Sequence, residues 1–393
     1  MATNTKNNEP KVLIIIDSIK SGGGAEKNAT LLATLLTEIG VSTILLTFNS
    51  YPNEYEFNGH RESLNQKSQK SLLKKIGNAV HRVYKINRFC RDNNITHAIS
   101  FLEEANTYTL LSRILLGNKA KIIVSVRADP TFTKKSKQTI IKWLYKFAYK
   151  VVSVSKAIQY TLKKEFKLYN VETIYNPIDQ AWVQKKMQEQ LPGKYSYLEG
   201  ERNRPVFVNV GRLCRQKGQL ELIKCFARFT KKYPEAILII IGEGPEYDSL
   251  QKYIQDNSLS EKIQLVGHQD NIYPFLKVSD CFLLTSFFEG FPNVILEAAA
   301  SSLYIISTDC PTGPREIISP EMFNEKMSFP HRVTGASLIE DFNSLDSSIK
   351  TPEEILYHEM VWFSENKLRE SQTIPVDKFS NQAYLREWLE ILT

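Results

Sequence analysis

The 393-residue sequence predicts an α/β protein built as two doubly wound parallel sheets in succession. Three observations predict it. Short, almost uninterrupted apolar runs such as Lys11-Val-Leu-Ile-Ile-Ile-Asp17 alternate with longer amphipathic stretches, the pattern of strands buried on both faces with helices between them. The series runs to about residue 175 and starts afresh near Pro205. Several runs also end in glycine-containing turns that open helices, the layout in which a parallel sheet receives anionic ligands at its carboxyl edge.

In chain order, residues 11–17 form the first strand. The loop Ser21-Gly-Gly-Gly24 leads into a helix over 25–38 with Leu31, Leu32, Leu35 and Leu36 turned inward. Further strands are expected at 42–48, 97–101, 121–127, 151–155 and 171–175, with helices at 68–91, 105–116, 134–149 and 156–166. The second series has strands at 205–210, 236–241, 263–266, 281–285 and 305–308. The polar stretch 179–204 reads as a helix and exposed loop, so the expected domains are 1–178 and 179–393. Helices of mixed charge close the chain at 352–369 and 381–392.

The composition is that of a soluble globular protein, and no apolar run is long enough for a signal peptide or a membrane span. The five cysteines form no C-x-x-C pair and read as reduced, cytosolic thiols. The net charge of +7 conceals an asymmetry: up to Ile178 there are 27 Lys plus Arg against 13 Asp plus Glu, a net +14, leaving −7 for the remainder. The first half is therefore expected to meet something anionic. Residues 67–91 hold eight Lys or Arg and no acid, with Leu72, Leu73, Ile76, Ala79, Val80, Val83 and Ile86 at helical spacing. Residues 134–150 repeat the theme, with Trp143, Leu144 and Phe147 expected inside. In both, the apolar stripe is expected to pack on the sheet and the charge to carry the function. No aromatic-basic recognition motif accompanies it, so nucleic acid is not an expected partner.

The chemistry gathers around Thr285-Ser-Phe-Phe-Glu-Gly-Phe-Pro-Asn-Val-Ile-Leu-Glu297, where a strand end, a Gly-Phe-Pro turn and a helix start follow in direct succession. Pro292 suits a first helical turn, and the free N–H groups and positive dipole end of that helix would face the crevice. Glu289 lies in the turn. Glu297 lies in a helix apolar nearly all round and needs a partner there. In Gly211-Arg-Leu-Cys-Arg-Gln-Lys-Gly218, which follows a strand and opens a helix, Arg212 and Lys217 suit a diphosphate, one as a planar fork and the other as a mobile point charge. No Asp-x-Asp pair appears anywhere, so no metal and no other cofactor is expected. The first glycine loop departs from G-x-G-x-x-G, and the second strand ends in Thr47-Phe-Asn-Ser50 without an acidic residue, which disfavours a dinucleotide.

The two glutamates eight positions apart resemble the E-x7-E signature of the retaining family-4 glycosyltransferases, which have the two-domain GT-B fold of Rossmann-like halves. Further matches, in family order, are Gly22-Gly-Gly-Ala-Glu26, Asn176-Pro-Ile-Asp179, Gly211-Arg212 with Lys217-Gly218, Gly242-Glu-Gly-Pro245 and Gly313-Pro-Arg-Glu316. The likeness covers residues 11–318 and is loose beyond. It implies that Arg212, Lys217 and Glu289 act in catalysis and that Glu297 binds the donor ribose. Gly211, Gly290, Phe291, Pro292, Asn293 and Val294 would hold sugar and phosphates through the backbone. From the other domain Gly24 would face the donor, and Gly22, Gly23 and Glu26 the acceptor, with Lys70 and Lys74 at its anionic end. Arg127 stands where many relatives place a histidine near the donor sugar; it either lines the cleft or is a salt-bridged structural arginine. Residues 321–350 lack the Gly-x-Leu-Val type of segment that usually closes the donor domain. The last helix, 382–392, is expected to cross back onto the first domain.

The activity implied is retaining, metal-independent transfer of a hexose or N-acetylhexosamine from a nucleotide diphosphate sugar to a lipid-linked or polysaccharide acceptor, in the cytoplasm and at the periphery of an anionic membrane surface. The alternatives are a nucleotide-sugar epimerase of the same fold, for which the histidines are too few, and a non-enzymatic membrane-peripheral module, against which the intact Arg212, Lys217, Glu289 and Glu297 argue.

Overall fold

A computed structural model of the chain describes residues 9–66, 72–199, 204–343, 351–366 and 374–393, with the backbone alone for 72–75. The chain divides into two compact units, Met1–Pro177 with Asn381–Thr393, and Ile178–Ser380.

The first unit contains β1 (Lys11–Ile16), α1 (Gly24–Glu38), β2 (Ser42–Thr47), β3 (His60–Ser63), α2 (Leu72–Asp92), β4 (His97–Phe101), α3 (Glu103–Leu116), β5 (Lys121–Val126), α4 (Lys135–Leu144), β6 (Lys150–Ser153), α5 (Lys156–Lys164) and β7 (Val171–Thr173). Its sheet has the order β3-β2-β1-β4-β5-β6-β7, and every pair is parallel. Sequence reading missed β3, whose polar His-Arg-Glu-Ser stretch alternates between exposed and half-buried; an edge strand needs no apolar face.

Two expectations about apolar stripes fail. In α2, Val83 and Ile86 are buried, but Ile76 and Val80 stand 54% and 64% exposed. A 21-residue helix is about 31 Å long, whereas a five-residue strand covers about 17 Å, so the first turns overrun the sheet. In α4 and the 3-10 turn that follows it, Ile141 and Tyr145 are the inward residues, while Trp143 and Phe147 are 65% and 54% exposed. The ring of Tyr145 takes the inner place because its hydroxyl meets the Asn106 side-chain amide at 3.0 Å.

The second unit contains α6 (Gln180–Lys186), β8 (Val206–Val210), α7 (Gln219–Phe229), β9 (Ile237–Ile241), α8 (Tyr247–Asp256), β10 (Ile263–Gly267), α9 (Tyr273–Lys277), β11 (Cys281–Leu284), α10 (Asn293–Ala300), β12 (Tyr304–Thr308), α11 (Pro314–Ile318), β13 (His331–Val333), β14 (Ala336–Ile339) and α12 (Pro352–Glu365). The sheet order is β10-β9-β8-β11-β12-β14-β13, parallel except for the terminal pair β13–β14. The expected lack of a closing segment in 321–350 is corrected by β14, which lies buried beside β12. Its pattern was hidden by Ser337, a residue that ordinarily signals a loop, whose hydroxyl is matched by the Tyr304 hydroxyl at 2.6 Å.

The terminal helix α13 (Asn381–Leu392) crosses into the first unit. Tyr384, Trp388, Ile391 and Leu392 complete the core formed by Val12, Ile14, Ala29 and Leu36. The sequence-based domain 179–393 is corrected accordingly: residues 381–393 leave the second unit for the first, because their apolar side chains cover α1 and the sheet there.

Candidate functional site

In the second unit, three loops at the carboxyl edge of the sheet come together around one ion pair. The first follows β8. Gly218 has φ +65°, and a Cβ there would lie 2.1 Å from the backbone oxygen of Thr285, so only glycine lets this loop reach the end of β11. The approach is tied on both sides: Phe287 N–H donates to the Gln216 carbonyl at 2.8 Å, Gln216 Nε2 donates to the Phe288 carbonyl at 2.8 Å, and the Thr285 hydroxyl donates to the Lys217 carbonyl at 3.1 Å. Lys217 Nζ is thereby brought 2.7 Å from Glu289 Oε1. Glu289, 7% exposed, also accepts from Ser286 Oγ at 2.6 Å. A carboxylate this buried is held by two partners, one of them charged.

The second loop follows β9. A Cβ on Gly242 would come 2.0 Å from the Gly211 carbonyl oxygen, and one on Gly244 would come 2.2 Å from that of Leu213. Leu213 N–H donates to the Glu243 carbonyl at 2.9 Å. The turn Gly242-Glu-Gly-Pro245 is therefore the support on which Gly211–Leu213 rests. Arg212, carried there, is exposed and makes no ion pair among the described residues.

The third loop joins β11 to α10. Glu289 N–H donates to the Pro311 carbonyl at 2.7 Å, and the Thr312 hydroxyl stands 2.9 Å from both the Glu289 and Gly290 carbonyls. Gly313 has φ +99°, and a Cβ there would meet the Pro292 ring at 2.6 Å. Helix α10 starts at Asn293 with Pro292 as its cap and no side chain capping its first turn, so its positive end points beyond the sheet edge. Phe291 buries its ring against Phe379, with centroids 5.7 Å apart, so Gly290–Val294 would meet a ligand through the backbone. Glu297 is 8% exposed on α10 and accepts from the Tyr273 hydroxyl at 3.4 Å; the Tyr273 ring in turn abuts Trp182 edge-on at 5.3 Å.

In the first unit, Gly22 takes φ +103° and donates its N–H to the Tyr55 hydroxyl at 3.1 Å. Gly23 caps α1 and Gly24 begins it. Glu26 folds back over that start: a Cβ on Gly23 would lie 2.0 Å from its Oε2. Burial raises the Glu26 carboxyl above its ordinary range and the Asp17 carboxylate adds to this, opposed by a backbone N–H and by Arg127. Arg127 follows β5. Its guanidinium donates to Asn176 Oδ1 and lies 5.6 Å from the centre of the Phe101 ring; burial brings it down to about 10. Asn176 thus has a local role, as does Asp179, whose carboxylate caps α6 at Trp182 N–H, 2.9 Å away. Lys70 lies outside the described residues, and Lys74 is described only as backbone within α2.

Sequence reasoning singled out Arg212, Lys217, Glu289 and Glu297 but missed Ser286, Gln216, Thr312 and Tyr273. Hydroxyl and amide groups that brace a loop through carbonyls carry no signature in spacing. Gly242 and Gly244 were visible as a motif, but their physical reason, the close approach of the Gly211 and Leu213 carbonyls, arises only in the fold.

The family described as Glycosyl transferases group 1 matches residues 198–332. An uncharacterised glycosyltransferase of Methanocaldococcus jannaschii is 35% identical over 281 residues, 68% of each chain. The N-acetylgalactosamine-N,N'-diacetylbacillosaminyl-diphospho-undecaprenol 4-alpha-N-acetylgalactosaminyltransferase of Campylobacter jejuni is 28% identical over 322 residues, 80% of this chain and 84% of that one. Among solved structures, Anabaena HepE in complex with UDP and glucose superposes with a TM-score of 0.75 at 15% identity, covering 97% of this chain and 98% of that one. The last likeness bears on the fold.

Proposed function

Because this chain belongs to the group 1 glycosyl transferases and has their two-unit GT-B fold, we propose that it is a retaining, family-4 transferase. It would move a hexose or N-acetylhexosamine from a nucleotide diphosphate sugar to a lipid-linked or polysaccharide acceptor. The observation that carries the reading is the Lys217–Glu289 pair set beside the uncapped start of α10: a cation and a helix dipole where a diphosphate leaves, and a carboxylate where sugar hydroxyls need an acceptor. The Campylobacter relative's name, with its diphospho-undecaprenol-linked substrate, supports the lipid-linked acceptor. The UDP and glucose bound to the Anabaena protein support the donor class.

In this reading the bond between the anomeric carbon and the phosphate oxygen breaks, a bond from that carbon to the acceptor oxygen forms on the same face, and the acceptor's proton passes to the departing phosphate. Lys217 and Arg212 stabilise the charge growing on the nucleoside diphosphate. Glu297 holds the donor ribose, and Glu289 with the backbone of Gly290–Val294 holds the sugar and phosphates. The Gly22–Glu26 loop and Arg127 serve the acceptor and donor from the first unit. The protein works in the cytoplasm, at the periphery of an anionic membrane; no helix among the described residues is long and apolar enough to cross one.

The assay is nucleotide release over a panel of UDP- and GDP-sugars with membrane extract as acceptor. Release with none of them would remove the reading. Activity should persist in excess chelator, since basic groups occupy the leaving-group position; abolition by EDTA with restoration by Mn²⁺ or Mg²⁺ would assign that role to a metal instead. Glu297→Gln should weaken free nucleoside diphosphate binding by about 1–3 kcal/mol, the scale of an unmatched charged hydrogen bond. Calorimetric titration reads this directly, and unchanged affinity in a folded variant would give Glu297 a structural role in place of a donor-binding one.

A further inference from the structure

Trp143 and Phe147, expected in the core, stand on the surface of the first unit, and the surroundings say what covers them. Strands β4, β5 and β6 are parallel, and α3 and α4 each return the chain from the carboxyl end of one strand to the amino end of the next. The ends of both helices therefore gather at the amino edge of the sheet, opposite the edge that carries Gly22–Glu26 and Arg127. There α3 exposes Leu115 by 66% and α4 exposes Trp143 by 65%, with Ile140 and Phe147 beside it on the same helical segment. Single exposed apolar residues need no explanation; several on neighbouring helix ends do.

The charge around them is mostly positive, and the described acids at that edge, Asp92 and Glu172, are already paired with Arg88 and Arg91 and with Lys150. From Ala105 to Lys164 the sequence holds thirteen Lys or Arg and a single acid, Asp129, and Asp129 is buried, its carboxylate engaged by Thr131. Lys146 Nζ lies 5.1 Å from the centre of the Trp143 ring, and Lys121 Nζ lies 4.9 Å from that of Tyr149. Each ring thus carries an ammonium at its side. An exposed indole with a lysine at its side, and an exposed phenyl one turn on in the same basic segment, match a surface that is apolar beneath and anionic at its rim. An acidic protein with an apolar patch could meet the same features, and the lipid-linked acceptor proposed above decides for the bilayer.

We propose that the ends of α3 and α4 are a membrane-docking surface: Trp143, Phe147 and Leu115 enter the headgroup layer of an anionic bilayer, and Lys142 and Lys146 bind its lipid phosphates. The inference rests on the reading that the acceptor is lipid-borne; standing at the edge opposite Gly22–Glu26, the surface holds the protein at the bilayer and does not itself bind the acceptor. To the charge expected to carry the function of segments 67–91 and 134–150 it adds an inserted contact through α4. At about 1 M salt, where screening acts within about 3 Å, the lysine contribution is lost and the inserted rings still hold.

The test is flotation of the full chain with vesicles of equimolar phosphatidylglycerol and phosphatidylcholine, and with phosphatidylcholine alone, at low and at about 1 M salt. Wild type should float with the anionic vesicles and keep a measurable part of that binding at high salt. Trp143→Ala with Phe147→Ala should bind about tenfold more weakly or worse and keep none at high salt. Because both side chains are exposed, the double variant should melt with the parent and transfer sugar to a water-soluble acceptor within twofold of it. Brominated lipid should quench part of the tryptophan emission of the wild type, and Trp143→Phe should remove that quenching. Flotation of the double variant equal to wild type, quenching that survives Trp143→Phe, or a wild type that dimerises through this face and ignores vesicles would each overturn the proposal. A wild type that fails to float yet transfers sugar sinks the docking surface alone; one that floats as described but transfers from no nucleotide sugar sinks the enzymatic reading and leaves the surface standing.

Discussion

Lys217→Ala should lower turnover by about 10²- to 10³-fold, the scale for removing one preorganised charge stabiliser from a reacting centre. The residue stands in a loop forced against β11 by Gly218, and its ammonium is already oriented at 2.7 Å from Glu289. Little reorganisation is then needed when negative charge develops on a departing diphosphate. Removal has a second consequence: Glu289, 7% exposed, keeps only Ser286 of its two described side-chain partners, and an uncompensated buried carboxylate is costly. The two effects separate by measurement. Arg212→Ala removes an exposed cation from the adjoining turn and should lower turnover on a similar scale with no change in melting temperature, whereas Lys217→Ala should also lower the melting temperature, and Lys217→Ala combined with Glu289→Gln should recover it without recovering turnover. A Lys217→Ala variant within a few-fold of wild-type turnover would remove the lysine from the leaving-group role.

Trp388→Ala should destabilise the first unit by about 3–5 kcal/mol, the range for truncating a large buried aromatic. Trp388 is fully buried, 6.4 Å ring to ring from Phe101 and 6.2 Å from Tyr384, in a core shared with β1 and α1. Against a total stability that is commonly about 5–15 kcal/mol, this unfolds a sizeable fraction of molecules on mild heating. Hydrogen exchange should show β1 and α1 losing protection while β11 and α10 keep theirs. Equal loss in both units would mean that they unfold together, and no loss would mean that α13 is dispensable to the core it lines.

The parallel strands were legible because burial on both faces leaves an uninterrupted apolar run, and β4 was read to the residue. What escaped were segments whose apolar pattern is supplied or excused by a neighbour: β3, an edge strand with one partner, and β14, whose buried Ser337 is satisfied by Tyr304. Trp143 was misread in the opposite sense, since an aromatic at helical spacing carries no mark of which side faces water. Within the candidate site, Arg212, Lys217 and Glu289 could be picked out because each stands beside a glycine in a turn that joins a strand's carboxyl end to a helix, the place where a parallel sheet receives anions. Thr312 and Gln216 could not, because they act on backbone carbonyls, which every residue has.

The position of α13 also bears on how the protein is made. Multidomain chains generally fold from the amino end while still on the ribosome. Here the face of α1 and β1 lined by Val12, Ile14, Ala29 and Leu36 has no cover until Tyr384, Trp388 and Ile391 emerge. About 200 residues separate β7 from α13, and at about 5–20 residues per second their synthesis takes roughly 10–40 s. Through that interval the nascent first unit presents an open apolar strip, while the second unit, whose Ile178–Ser380 segment is continuous, has all its own residues first. The half that is translated first is completed last, which makes holdase chaperones and the pace of translation part of the folding conditions of this chain.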